Sequence, residues 1–98
     1  MMKTKEHLLL LLKALFPELE REYDIKSIGI FGSYAREEQK KESDVDILVE
    51  FKQPVTMFQF IHLEDVLTEH LGIKVDLVTS DALKPLMKPT ILRDVIYV

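Results

Sequence analysis

Residues 44–51, Asp-Val-Asp-Ile-Leu-Val-Glu-Phe, limit the fold more than any other stretch of the chain. Side chains on a strand alternate from one face to the other. Val45, Ile47, Val49 and Phe51 therefore share one face, and Asp44, Asp46, Leu48 and Glu50 share the opposite one. Residues 73–78 repeat the pattern, with Ile73, Val75 and Leu77 on one side and Lys74, Asp76 and Val78 on the other. Two strands of this kind bury their aliphatic sides under helices and leave their aspartates on the far side. The expected fold class is α/β (α+β), a small mixed sheet with helices packed mainly on one face.

The remaining segments supply those helices. Leu8, Leu11, Leu12, Leu15 and Leu19 fall on one helical face, which predicts a helix over residues 5–23. Pro17 is expected to divide it, ending one helix near Phe16 and starting a short second one. Leu9 and Phe16 widen the apolar stripe, as deep burial or a partner-binding surface would require. Residues 25–31 read as a strand that runs into a tight turn at Gly32-Ser33. A short helical turn over 34–38 and a polar loop over 37–43 follow. Phe60, Leu63, Leu67 and Leu71 mark a helix over 56–71, with Gly72 as its stop. Pro85 and Pro89 punctuate a last helical segment over 89–94, and residues 95–98 could close as an edge strand.

Composition narrows the chemistry. The 98 residues, 47% hydrophobic and 31% charged, suit one globular domain over 1–98. Thirteen Lys and Arg against 17 Asp and Glu give a formal charge of -4, which argues against a nucleic-acid coat. With no cysteine, thiolate zinc sites, disulfide scaffolds and Cys nucleophiles are excluded. The leucine run at 8–12 follows Lys3 and Lys5 as a signal peptide would. Glu6 precedes it, however, Lys13 interrupts it, and it is too short to span a bilayer. A cytoplasmic protein with no membrane association is expected.

Asp44 and Asp46 project the same way, roughly 7 Å apart along a strand. Two carboxylates so close repel each other unless a cation lies between them, and hard oxygen donors favour Mg²⁺ or Mn²⁺. Asp76 lies on the corresponding face of another strand, so three carboxylates make a plausible two-metal site. Asp-x-Asp alone is a weak signal, common at solvated strand edges. Its weight comes from Gly32-Ser33, which ends a preceding strand and can present backbone N–H groups to a phosphate.

Residues 30–36, Ile-Phe-Gly-Ser-Tyr-Ala-Arg, followed by residues 43–49, Ser-Asp-Val-Asp-Ile-Leu-Val, resemble the Gly-Ser-x10-Asp-x-Asp signature of polymerase-β-type nucleotidyltransferases. Residues 74–78 resemble the strand carrying that superfamily's third carboxylate, and residues 91–98 resemble the ending of its minimal nucleotidyltransferase (MNT) group. One departure is Glu37, where many relatives have Gly. The resemblance implies a nucleotidyltransferase fold. It implies that Asp44 and Asp46 bind two Mg²⁺ ions (or Mn²⁺) that hold ATP, and that Asp76 completes the metal site beside the acceptor hydroxyl. Gly32 and Ser33 would hold the β- and γ-phosphates. Arg36 would neutralise phosphate charge, or else pair with Glu37, Glu38 or Glu42. Lys74 would orient Asp76 or form a surface ion pair.

MNT proteins resemble antitoxins that accompany HEPN-domain ribonuclease toxins. This implies transfer of AMP from ATP to a tyrosine of a HEPN partner, and a possible oligomer with it. Two alternatives stay open: a non-catalytic antitoxin that occludes its toxin, and a nucleotidyltransferase acting on a small molecule or RNA. His7, His62 and His70 have no ligand spacing, and no Gly-x-x-x-x-Gly-Lys or Gly-x-Gly-x-x-Gly occurs.

Overall fold

The computed structural model describes residues 4–40 and 43–98. Lys3, ahead of the leucine run, and Lys41 and Glu42 of the polar loop lie outside the described residues. So does the possible pairing of Arg36 with Glu42.

Helix α1 (Lys5–Tyr23) starts at Thr4, whose Oγ1 accepts a hydrogen bond from the His7 N–H at 3.2 Å. It ends at Asp24, in the left-handed conformation at φ 53°, with its N–H bonded to the Glu20 carbonyl. The expected division at Pro17 does not occur, and the helix runs through it. An interior proline costs about 3 kcal/mol. Leu8, Leu12, Leu19 and Tyr23 are buried on either side of it, and burying each such side chain contributes about 1.5–3 kcal/mol. Pro17 is itself exposed, so the carbonyl left unpaired one turn earlier lies on the solvent side. Leu9, Leu11, Leu15 and Phe16 pack partly buried against the same core, while Leu10 stays exposed.

Strand β1 (Ile25–Phe31) leads directly into a four-residue helix, α2 (Gly32–Ala35). The helical turn thus begins at Gly32, two residues earlier than expected. Strand β2 (Val45–Phe51) is followed by α3 (Met57–Leu71). Thr56 and Gln59 form a reciprocal capping box at the start of α3, and Gly72 closes it in the left-handed conformation. Strand β3 (Val75–Thr79) begins two residues later than the pattern suggests. A 3₁₀ turn (Ser80–Ala82), helix α4 (Lys88–Asp94) and the two-residue strand β4 (Ile96–Tyr97) complete the described chain.

Among the described residues the strands form one mixed sheet in the order β3-β2-β1-β4. β1 pairs antiparallel with β2 and β4, and β2 pairs parallel with β3 across α3. The aliphatic sides of β1, β2 and β3 meet Leu8, Leu12 and Leu19 of α1 and Leu63, Leu67 and Leu71 of α3 in one core. The architecture is the α/β class expected, with Asp46 and Asp76 on strands whose aliphatic neighbours point into that core. Gly29 admits the C-terminal segment beside β1, because a Cβ there would lie 2.6 Å from the Ile96 carbonyl oxygen. No described helix is long and apolar enough to cross a membrane.

Candidate active site

The site is built where β1 ends and β2 and β3 begin. At the end of β1 the chain turns at Gly32, with φ 75°. The Arg36 N–H bonds back to the Gly32 carbonyl at 3.1 Å, and the Glu38 N–H to the Ser33 carbonyl at 2.8 Å. Those bonds close a compact turn that presents Gly32 and Ser33 beside β2. Glu37 has φ 59°, the left-handed conformation that suits glycine. The departure from the family pattern is therefore a side chain accepted in a glycine conformation, and Lys5 Nζ meets its Oε1 at 3.3 Å.

Asp46 and Asp76 are direct partners across the parallel β2–β3 pair. Asp44 lies two residues before Asp46, just ahead of β2, and is exposed, as is Asp76. Asp46 is half-buried. Burial first, then the negative charges of Asp76 and Asp44, pushes its carboxyl above the ordinary value, and Arg36 pulls it back down. The three sequence-predicted carboxylates are thus electrostatically coupled on one side of the sheet. Among the described residues no three or more His, Cys, Asp or Glu side chains are drawn together closely enough to hold a metal ion, so they do not form a preassembled cage. The donors nevertheless fit a hard divalent cation. They are carboxylate oxygens whose mutual repulsion a cation would relieve.

Gly32 touches this arrangement directly. A Cβ built on Gly32 would overlap Asp46 Oδ2. The sequence suggests glycine for a ligand's approach, whereas here its bareness makes room for the aspartate itself.

A cavity of about 380 Å³ opens from Gly32, Arg36 and Asp46 toward Leu86, Met87, Thr90 and Asp94. Arg36 spans its rim, with Nε 3.2 Å from Glu38 Oε2 and Nη1 3.4 Å from Asp94 Oδ2. Glu38 is one of the partners expected; Asp94, 58 positions away, has no sequence signal. Lys74 is exposed just before β3 and makes no ion pair among the described residues. The sequence also leaves Glu64 and Thr68 of α3 unremarked, yet Glu64 Oε2 accepts from the Leu77 N–H at 2.9 Å and Thr68 Oγ1 from the Val75 N–H at 3.1 Å. Their spacing of four on the helix just before β3 is the signal that could have found them.

Such a site can set a polyphosphate beside clustered carboxylates and the Arg36 charge, with the Asp76 side exposed. Comparison with known proteins follows that chemistry. The model of the nucleotidyltransferase domain family matches residues 12–98. A Thermococcus cleftensis protein named protein adenylyltransferase MntA is 44% identical over 97 residues, covering 99% of this chain and 98% of that protein. A solved structure described provisionally as a minimal nucleotidyltransferase superposes with a TM-score of 0.82 at 31% identity, covering 96% of this chain and 95% of that one. A chain from a complex of tri-AMPylated Shewanella oneidensis HEPN toxin with MNT antitoxin has a TM-score of 0.68. It is 20% identical and covers 92% of this chain and 70% of that one, a likeness of fold alone.

Proposed function

The chain belongs to the nucleotidyltransferase domain family and is a minimal nucleotidyltransferase, and from that premise we propose that it transfers AMP from ATP to a tyrosine hydroxyl of a HEPN-type toxin, acting as its antitoxin. The observation that carries this reading is the pairing of Asp46 with Asp76 across β2–β3, with the Gly32 turn packed against Asp46. The full-length similarity to a protein adenylyltransferase supports the activity, and the MNT–HEPN complex on the same fold supports the partner.

In this reading residues 1–98 act as one domain. Asp44 and Asp46 hold Mg²⁺, or Mn²⁺, and Asp76 completes the ligand set. When bound, the cations neutralise the triphosphate and stabilise charge on the attacking and leaving oxygens. Gly32 and Ser33 present their turn to the β- and γ-phosphates. Arg36, on the cavity rim, adds positive charge there. Asp76 faces the acceptor hydroxyl and accepts its proton as the oxygen attacks the α-phosphorus. The bond from that phosphorus to the bridging oxygen breaks, and pyrophosphate leaves. ATP and a ribonuclease partner both suit a cytoplasmic setting.

The test is incubation with α-labelled ATP, Mg²⁺ and the HEPN partner. Label on the partner, lost in Asp44→Ala and Asp46→Ala, supports the reading. Protection of RNA by the double variant without label would sink it in favour of occlusion. Label on a small molecule or RNA instead of protein would overturn the assigned acceptor.

A further inference from the structure

β3 lies at the margin of the sheet, with β2 on one side and no strand on the other among the described residues. Alternate backbone N–H groups of such a strand point away from its neighbour. Two of them, on Val75 and Leu77, are bonded to side chains of α3: Val75 to Thr68 Oγ1 at 3.1 Å and Leu77 to Glu64 Oε2 at 2.9 Å. The residue between them is Asp76.

The geometry is a matched pair of spacings. Glu64 and Thr68 are four apart and share a helix face, rising about 6 Å. Val75 and Leu77 are two apart on a strand, spanning about 6.6 Å. Thr68 meets the earlier strand residue and Glu64 the later one, so α3 runs antiparallel to β3 and the two ladders stay in step. The outer edge is thereby fastened immediately before and after Asp76, while the inner edge holds Asp76 opposite Asp46. The Glu64 bond to an N–H is charge-assisted and stronger than a neutral one.

We infer that Glu64, seconded by Thr68, is a positioning residue for Asp76: it fixes the height and register of β3 so that the Asp76 carboxylate stays aligned with Asp46. Neither residue lines the cavity beside Gly32, Arg36 and Asp46. The inference rests on the reading of Asp76 as a metal and acceptor-side carboxylate. It goes beyond that reading by assigning its support to a helix face remote from the cavity lining. Groups that orient a metal ligand commonly change affinity or activity by about 10–100-fold when removed.

Glu64→Gln keeps a carbonyl acceptor, Glu64→Ala removes it, and Thr68→Val removes the hydroxyl at nearly constant shape. Three quantities separate positioning from mere edge protection. They are amide exchange at Leu77, Mn²⁺ affinity by spin-resonance titration with a non-hydrolysable ATP analogue, and the kcat and KM of AMP transfer. Glu64→Ala is expected to speed exchange at Leu77, weaken Mn²⁺ about tenfold and lower kcat more than it raises the KM for ATP. Glu64→Gln is expected to restore all three; Thr68→Val is expected to speed exchange at Val75, whose N–H the Thr68 hydroxyl accepts, with smaller losses of Mn²⁺ affinity and kcat, keeping the test open should Glu64→Ala fold poorly. Faster exchange at Leu77 with Mn²⁺ affinity and kcat unchanged would overturn the inference and leave Glu64 an edge cap. Wild-type Mn²⁺ affinity and transfer in Asp76→Asn would instead overturn the reading of Asp76, and the positioning role with it, whatever Glu64→Ala does.

Discussion

Gly32 and Asp46 occupy one space: a Cβ on Gly32 would overlap Asp46 Oδ2, and Gly32 sits at φ 75°, where a side chain is strained on its own account. Gly32→Ala therefore pushes on the carboxylate and on the turn together. It is expected to lower AMP transfer by about 100-fold, as misplacement of a reacting geometry by an ångström does. Left-handed strain adds a stability loss of about 1–2 kcal/mol. Transfer assays and urea unfolding of the same preparation check both parts.

Asp46 gives the site a signature in pH. Burial, then Asp76 and Asp44, raises its folded value above the ordinary 3.8, so the folded state holds the proton more tightly than the unfolded chain. Through the window from 3.8 up to the raised value, metal-free stability falls as pH rises, and the deficit persists above it. Asp46→Asn removes that deficit. Without metal the variant is expected to be at least as stable as the parent at neutral pH, with the difference closing below the ordinary value, and to be inactive in transfer. Urea melts from acid to neutral pH decide it, and a variant less stable at neutral pH would be the contrary result.

Tyr34 is fully buried, and its hydroxyl has no hydrogen-bond partner among the described residues. A buried unpaired hydroxyl costs about 1–3 kcal/mol of desolvation. Tyr34→Phe keeps the ring in the core and removes that cost, so it is expected to raise stability by about 1 kcal/mol. Thermal unfolding of the two proteins is the measurement.

Pro17 interrupts the hydrogen-bond ladder of an otherwise continuous α1. Pro17→Ala restores a donor to the helix, worth up to about 3 kcal/mol, against about 1 kcal/mol of unfolded-chain freedom that proline removes. A net gain of about 1–2 kcal/mol is expected, read from denaturant midpoints.

What could be read in the sequence was short-range and periodic. The alternation around Asp46 and Asp76 located both strands and the faces of both carboxylates, and Gly72 marked the end of α3. Pro17 misled because a local rule competed with burial of Leu8, Leu12, Leu19 and Tyr23, which only the assembled core shows. The reason for Gly32 was equally out of reach, since the atom it makes room for lies 14 positions away. Arg36 with Asp94 joins residues 58 positions apart whose meeting depends on chain return, and no spacing rule encodes that.

On the proposed function, this chain silences its partner by chemistry and not by coverage. The most direct measurement is the ribonuclease activity left in a HEPN partner pool after incubation with a small fraction of an equivalent of the chain, with and without ATP and Mg²⁺. Catalytic transfer is expected to silence the whole pool over time only when ATP and Mg²⁺ are present, and Asp44→Ala or Asp46→Ala to leave it active. Silencing that needs a full equivalent and proceeds without ATP would contradict the claim.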